Sequence, residues 1–415
     1  MPDVLIIEAV RSPVGKHNGV LSSMRPDDLL AEVLEGLMNR VLLDAAQVEA
    51  VYAGCGNQAG EDNRDVARMA LLLAGLPKEM SGVTVNCNCG SGLEAVNLAA
   101  KSILVGEVNL AIAGGVESMS RAPWVIGKPE RPQPIGHSQM WDTTIGWRFN
   151  NPKMDAQYPI VSLGETAENI AREMSISRED QDRFALESQR RAVEAMQAGR
   201  FRDEIVPIPV PQRKGPPRLV DLDEHPRCRL AEGQYVLDTS LEQLAALKPA
   251  FREGGSVTAG NASGINDGAA ALLLAEAGTA RRLGLKPMAR WVGSALAGVD
   301  PGVMGYGPVP ATRKLLARLG LRLEDVGLIE LNEAFAAQSL AVMRQLGLRH
   351  DITNVNGGAI ALGHPVGCSG ARILTTLLHE MKRRAPHEKR PYYGLATMCV
   401  GVGMGVSTIV GWVDS

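Results

Sequence analysis

Cys89 sits in the run Val85-Asn86-Cys87-Asn88-Cys89-Gly90-Ser91-Gly92, where a strand pattern gives way to a glycine-rich turn and then to a helical pattern. A thiol at a helix N-terminus lies at the positive end of the macrodipole, beside free N–H groups, which lower its pKa and favour the thiolate. Cys89 is therefore a candidate nucleophile; the alternative is a small buried apolar side chain. Covalent catalysis by a thiol also needs a base. His364 offers one, in the glycine-dense stretch from Asn356 to Gly370, where backbone can approach a ligand closely. The alternative is a loop histidine that only supports structure. The other six histidines lie in polar or irregular contexts and read as surface residues. A third candidate is Cys399, in Thr397-Met398-Cys399-Val400-Gly401-Val402-Gly403. It reads either as an acid/base thiol beside amides that can hold an oxyanion, or as a packed core thiol. The glycines there are no dinucleotide fingerprint, because no helix with a downstream acidic residue follows. Finally, Asn332-Glu333 follows a strand pattern at the end where α/β sites form, placed to position a water or to cap the next helix.

The chain that must hold these residues has 415 residues, 45% apolar, 21% charged and 4% aromatic. That is enough for two or three domains with cores of their own, and excludes small disulfide scaffolds. Lys+Arg 43 against Asp+Glu 46 gives a net charge of -3. No global field draws such a protein to nucleic acid or to an anionic membrane, so an anionic ligand needs a local cluster of cations. Six cysteines with no C-x-x-C spacing argue against a disulfide framework and against zinc, and for a reducing compartment. The first ten residues lack the features of a signal peptide, so the cytoplasm is the expected location. Residues 392–413 carry no charge and are long enough to cross a bilayer, but their five glycines predict two buried strands around a tight turn.

Strand and helix patterns alternate at both ends of the chain. Strands are predicted over 4–10, 48–53 and 108–114 with helices over 27–41 and 91–105. Later come strands over 289–299 and 326–331, helices over 310–319 and 369–384, and strands on either side of Gly401. This alternation predicts α/β layering with helices on the sheet faces. The two ends also resemble each other: Asp44 to Val51 aligns with Arg322 to Ile329, and Gly90-Ser91-Gly92 with Cys368-Ser369-Gly370, both at an offset of 278 residues. A common offset favours a duplicated half. The middle is different. Residues 122–250 hold 13 of the 24 prolines and the aromatic-rich stretch 141–149, with a long polar helix over 178–198 started by a capping box of Ser177 and Asp180. This region reads as an inserted lid or ligand-contact region, after which a strand over 269–275 returns to the first half.

Taken together, these segments resemble the thiolase family, the acetyl-CoA C-acyltransferases. The likeness runs over nearly the whole chain: Arg11-Ser12-Pro13-Val14-Gly15, Cys89-Gly90-Ser91-Gly92, Gly114-Gly115-Val116-Glu117-Ser118-Met119-Ser120, the motif from Val257 through Asn261 and Ser263 to Asn266, Asn332-Glu333-Ala334-Phe335, Gly363-His364-Pro365, and Cys399 with Gly401. It implies two βαβαβαββ halves forming a five-layered α-β-α-β-α core with an inserted loop domain. The halves would be 1–121, completed by 251–285, and 286–415, with the loop domain at 122–250. It further implies that Cys89 is acylated, His364 activates it, and Cys399 moves a proton at the acetyl methyl group. Asn332 would hold a water that binds the substrate thioester oxygen together with His364, while the amides of Cys89 and Gly401 would bind the acyl-enzyme oxygen. Two positions depart from the family pattern. Cys87 is not the residue expected before the nucleophile, and Val402 replaces a glycine in the usual Cys-x-Gly-Gly-Gly run.

The implied reaction exchanges one thioester for another through one covalent intermediate, with coenzyme A as a substrate, no cofactor and no metal. Arg213, Lys214, Arg218, Arg227 and Arg229 cluster in the insert and are candidates for the CoA nucleotide, the alternative being a solvated loop. Arg227 falls where the family's adenine-contacting arginine is expected, and Ser263 resembles the serine that touches the pantetheine arm. A homodimer or homotetramer is expected from the resemblance. For the substrate, the His-Met pair typical of acetoacetyl-specific members is missing, since Ser162-Leu163-Gly164-Glu165 precedes Thr166-Ala167-Glu168-Asn169. Residues 141–152 resemble thiolases that cleave 3-oxoadipyl-CoA, and Arg148 is the candidate donor to a distal carboxylate. This ranks 3-oxoadipyl-CoA or another medium-length 3-oxoacyl-CoA above acetoacetyl-CoA. A ketosynthase-like condensing enzyme is less favoured because Cys399 occupies its second histidine or asparagine position. An inactive CoA or lipid carrier would have lost one of the four groups, and a hydrolase lacks its G-x-S-x-G elbow.

Overall fold

The computed structural model describes residues 3–129, 131–132, 135–158, 160–388 and 391–413. Among the described residues, nine strands of its 10-stranded sheet form two copies of one pattern joined edge to edge, the tenth being the short Gly15–Lys16 paired with Asn266–Glu276. In the first half the strands Val4–Arg11, Asn266–Glu276, Leu110–Ser118, Ala50–Gly54 and Ser81–Val85 lie side by side in that order. The second half repeats it with Ala289–Gly298, Met404–Trp412, Tyr393–Val400 and Val326–Leu331. In each copy the two central antiparallel neighbours are followed by a parallel pair. A fifth strand is reduced in the second half to a single parallel bridge, Ile329 to Thr353. The halves meet through three residue pairs, Val4 with Trp291, Leu5 with Arg290 and Ile6 with Ala289.

Strand side chains alternate between faces, and here both faces are apolar because both are covered. On Leu110–Ser118, Leu110, Ile112 and Val116 pack with the helices Pro26–Val41 and Val66–Leu73. Ala111 and Ala113 face the other way, onto the helices Ser91–Leu104 and Ser369–Arg384. The second half presents Ala396, Met398, Val406 and Val410 to that same pair of helices. Its opposite face puts Leu395 and Ile409 with the helices Pro308–Leu319 and Ala336–Leu346. The result is the α-β-α-β-α layering expected, with two inner helices shared by both sheets.

The first turns of the inner helices touch through glycines. A Cβ on Gly370 would lie 2.3 Å from the Leu93 nitrogen, and one on Gly92 would lie 2.8 Å from the Gly367 carbonyl oxygen. These two glycines are related by the 278-residue offset, so the repeat records a packing requirement. It brings the turn before one helix, with Cys89, against the loop before the other, with His364.

Several expectations need correction. The box at Ser177 is half formed: Ser177 Oγ accepts from the Asp180 N–H at 3.0 Å, but the Asp180 carboxylate pairs with Arg344. Nor are all six remaining histidines on the surface. His379 is buried and contacts the Ala9 carbonyl at 2.9 Å, while His225 is packed against Asn266. The helix Leu163–Glu173 had no counterpart in the sequence reading. Residues 392–413 form two strands around a turn as expected, and no helix among the described residues is long and apolar enough to cross a membrane.

Candidate active site

The turn carrying Cys89 is held by its own side chains. Asn86 Oδ1 accepts from the Asn88 N–H at 3.0 Å, and Ser91 Oγ accepts from the Cys87 N–H at 2.9 Å while donating to the Asn88 carbonyl at 2.6 Å. Asn88 adopts the left-handed φ of 46° that asparagine tolerates. Gly90 then lets the turn press on the hairpin of the second half, since a Cβ there would lie 2.9 Å from Val400 Cγ2. That contact brings Gly401 to the thiol: its N–H points at the Cys89 sulphur, and its carbonyl accepts from Asn88 Nδ2 at 3.2 Å. Val402, next along, has φ 71°, a conformation that a β-branched residue adopts only under strain.

Here the sequence expectation of a ready thiolate fails. Burial pushes the Cys89 thiol up to about 11, outweighing the Gly401 and Cys89 N–H groups that favour the anion. Burial pushes Cys399 further up, and the neighbouring Cys89 adds to it. Both cysteines rest as thiols. Cys89 and His364 keep 7% and 6% exposure, whereas Cys399 and Asn332 have none.

His364 is neutral and its tautomer is fixed. Burial, aided by the charge of Arg372, holds it down to about 4. Ser369 Oγ lies 2.5 Å from His364 Nδ1 and 2.8 Å from the Pro365 carbonyl. A carbonyl only accepts, so the single hydroxyl proton goes to Pro365 and the serine must accept from Nδ1–H. This leaves Nε2 as a bare lone pair, 3.4 Å from Asn332 Nδ2. Asn332 Oδ1 is buried without a hydrogen-bond partner among the described residues. The main chain of His364 is braced by Asn266, whose Oδ1 accepts its N–H at 2.9 Å. Neither Asn332 nor Glu333 caps the following helix. Glu333 instead accepts from Ser188, Asn354 and the Ile360 N–H, tying down the loop that leads to His364.

A cavity of about 160 Å³ opens over the thiol. Cys89 and Gly401 line it together with Val366, two residues past His364, and Arg148 from the inserted region. His364, Asn332 and Cys399 are buried and do not line it. Arg148 donates from Nη2 to Asn57 Oδ1 at 3.1 Å and has no carboxylate partner among the described residues. Glu117, on the same wall, is spent on the backbone: it accepts the N–H groups of Gly56, Asn57 and Gly367 at 2.9, 3.1 and 2.7 Å. Cys55 and Asp62 lie close enough to Glu117 to suggest a metal site. Cys55 instead donates to the Asn57 carbonyl and to Asp62, and burial keeps its thiol protonated, which is a poor fit to a cation.

Ser263 and Arg227 occupy adjoining loops. The Ser263 N–H donates to the Ala334 carbonyl at 2.9 Å, which places it just past Asn332. Arg227 donates from Nη2 to the Ala259 carbonyl at 3.0 Å, and His225 packs where a Gly264 Cβ would sit. Arg213, Lys214, Arg218 and Arg229 are exposed and line no part of the cavity over Cys89. Three supports escaped the sequence reading: Ser369, Asn266 and Glu117. For Ser369 a signal existed, since it follows His364 by five residues and opens the helix.

A sheet in two copies that buries a thiol and a neutral imidazole where its inner helices meet supplies the nucleophile and base that covalent group transfer needs. Comparison with known proteins gives the family. The model of the thiolase N-terminal domain matches residues 4–278 and that of the C-terminal domain matches 285–411, so the chain belongs to the thiolase family. It is 52% identical over 413 residues, 99% of both chains, to the 3-oxoadipyl-CoA/3-oxo-5,6-dehydrosuberyl-CoA thiolase of Escherichia coli strain K12. It is 53% identical over 412 residues, 98% of both chains, to the beta-ketoadipyl-CoA thiolase of Pseudomonas aeruginosa. Among solved structures, the acetyl-CoA acetyltransferase of Bacillus anthracis superposes with a TM-score of 0.90 at 41% identity, covering 100% of this chain and 99% of that one. The protein is a thiolase: an acyltransferase that cleaves 3-oxoacyl-CoA with coenzyme A.

Proposed function

We propose that this thiolase acts on 3-oxoadipyl-CoA, with Cys89 as nucleophile and Arg148 as the partner of the distal carboxylate. In this reading Cys89 passes its proton to His364 Nε2, and the thiolate attacks the 3-oxo carbon. The C2–C3 bond breaks, its electron pair goes to C2, and Cys399 delivers a proton there, releasing acetyl-CoA. The shortened acyl group stays on Cys89, its oxygen held by the N–H groups of Cys89 and Gly401. The thiol of CoA then gives its proton to Cys399 and attacks the acyl carbon, and Cys89 leaves with the proton held on His364. Every proton is returned, so no cofactor or metal is needed. The unpartnered Asn332 Oδ1 is suited to hold a water that, with His364, binds the thioester oxygen of the substrate.

The observation that carries the substrate is the sharing of one cavity by Cys89 and Arg148, an arginine with no carboxylate of its own. The two relatives named above carry names that specify this substrate class. The test is Arg148→Ala, with 3-oxoadipyl-CoA and the uncharged 3-oxohexanoyl-CoA as substrates. The variant should raise KM for the dicarboxylate about 10- to 100-fold while leaving the uncharged substrate nearly unchanged, the loss expected for a charge-assisted hydrogen bond. Equal kcat/KM for the two substrates in the parent enzyme, unaltered by the substitution, would remove the carboxylate site.

Ser263 and Arg227 are assigned to the pantetheine arm and the adenine end of CoA. We place the enzyme in the cytoplasm, in keeping with six unpaired cysteines. We also assign it a homodimer, or a dimer of dimers. Ser81–Val85 ends the sheet, and Val83 on it is exposed beside Met69, Leu72 and Leu73 of the neighbouring helix, an edge that a second copy would cover.

A further inference from the structure

The cavity over Cys89 has an uncharged neighbour. A crevice of about 80 Å³ is lined by Met154, Tyr158, Ile160 and Val402, and among the described residues no charged one lines it. It shares Trp147 and Leu163 with the Cys89 cavity, so those two side chains form the partition between them. The indole of Trp147 is fixed in that role, because its Nε1 donates to the Val161 carbonyl at 2.9 Å. The next residue, Arg148, lines only the Cys89 side. Val402 keeps its left-handed φ of 71° where glycine would sit without strain, and its side chain supplies one wall of the crevice.

We propose that this crevice is a second acyl subsite, taking the uncharged tail of a longer 3-oxoacyl-CoA, while a carboxylate-ended chain lies on the Arg148 side. The inference rests on the reading of Cys89 as nucleophile and extends it to substrate range. A carboxylate is excluded from the crevice because it would be desolvated without a partner. An alkyl tail loses nothing by that desolvation and gains the burial.

The test measures the ratio of kcat/KM for 3-oxodecanoyl-CoA to that for 3-oxoadipyl-CoA, along with KM for CoA, in Met154→Trp and in Ile160→Trp. Each substitution fills the crevice from a different segment, so one suffices if the other misfolds. The ratio should fall about tenfold, the discrimination typical of a hydrophobic pocket closed to a methylene or two. An unchanged ratio in a folded variant overturns the proposal. So does an equal loss for both substrates with a raised KM for CoA, which would make the crevice part of the path for the pantetheine arm. Parent enzyme that cleaves 3-oxoadipyl-CoA but ignores both substitutions leaves the Cys89 reading standing. Parent enzyme that cleaves neither ester, with no adduct on Cys89, removes both.

Discussion

The two inner helices begin in the same way and do different chemistry. Ser91 and Ser369 are related by the 278-residue offset, and each donates its hydroxyl proton to a carbonyl in the loop before its helix, Asn88 in one case and Pro365 in the other. What each oxygen accepts separates them. Ser91 accepts the Cys87 N–H and stiffens the turn that presents a thiol. Ser369 accepts His364 Nδ1–H and leaves Nε2 able to take a proton. One scaffold, a serine followed by glycine at a helix start, thus serves as a backbone clamp in one half and as a selector of tautomer in the other. The two opposed helix starts repeat one arrangement, and the loops in front of them differ in presenting a thiol on one side and a neutral imidazole on the other.

If the halves divide the labour in this way, the largest effects come from the groups they present. Cys89→Ala should lose about 10⁴-fold or more in kcat, as removal of a covalent nucleophile does. Cys399→Ala should still form an acyl adduct on the Cys89 peptide by mass spectrometry after incubation with acetyl-CoA, though more slowly because the departing CoA thiolate goes unprotonated, while exchange of the acetyl methyl protons stops. An adduct on Cys87 or Cys399 in the parent enzyme would reverse the assignment. Next in size is the contact that holds the halves in register. Gly370→Ala puts a methyl group on the Leu93 backbone, and a shift of about 1 Å between the two helix starts should cost on the order of 10²-fold in kcat. Circular dichroism should show the secondary structure retained. A fully active Gly370→Ala would mean that the two helix starts need not be held this closely. The smallest effect sharpens the contrast between the serines. Ser369→Ala should lower kcat about 10- to 100-fold with KM little changed, the usual loss when the orienting partner of a functional histidine is removed. Ser91→Ala should act mainly on stability, lowering the melting temperature by a few degrees, about what one lost hydrogen bond is worth. Similar kinetic losses in both would show that the two hydroxyls do the same work.

Much of this architecture was legible in the sequence because every sheet face is covered. Apolar strands and amphipathic helices then stand out, and the helix over 369–384 appears with the bounds predicted for it. Leu163–Glu173 was missed because five of its eleven residues are charged or amide-bearing and its apolar stripe is short. The candidate residues themselves were legible by type and spacing. What could not be read was their ionisation. A helix N-terminus is visible in sequence, but the burial that keeps Cys89 protonated depends on Val400 and Val406, more than 300 positions away. The surroundings of His379 and His225 depend likewise on distant strands, through the Ala9 carbonyl for the one and Asn266 for the other.

The strand Val4–Arg11 lies between two partners that come much later in the chain, Asn266–Glu276 on one side and Ala289–Gly298 on the other. During synthesis its apolar residues, Val4, Ile6, Ile7 and Val10 among them, leave the ribosome well before either partner and have no sheet to join. At ordinary elongation rates the wait for the first partner is roughly 13 to 50 s. The first half therefore cannot close its own sheet cotranslationally until the strand Asn266–Glu276 has been made. Production of this enzyme should depend on what shields that segment in the interval, so that slower elongation without added holding chaperones lowers the soluble yield.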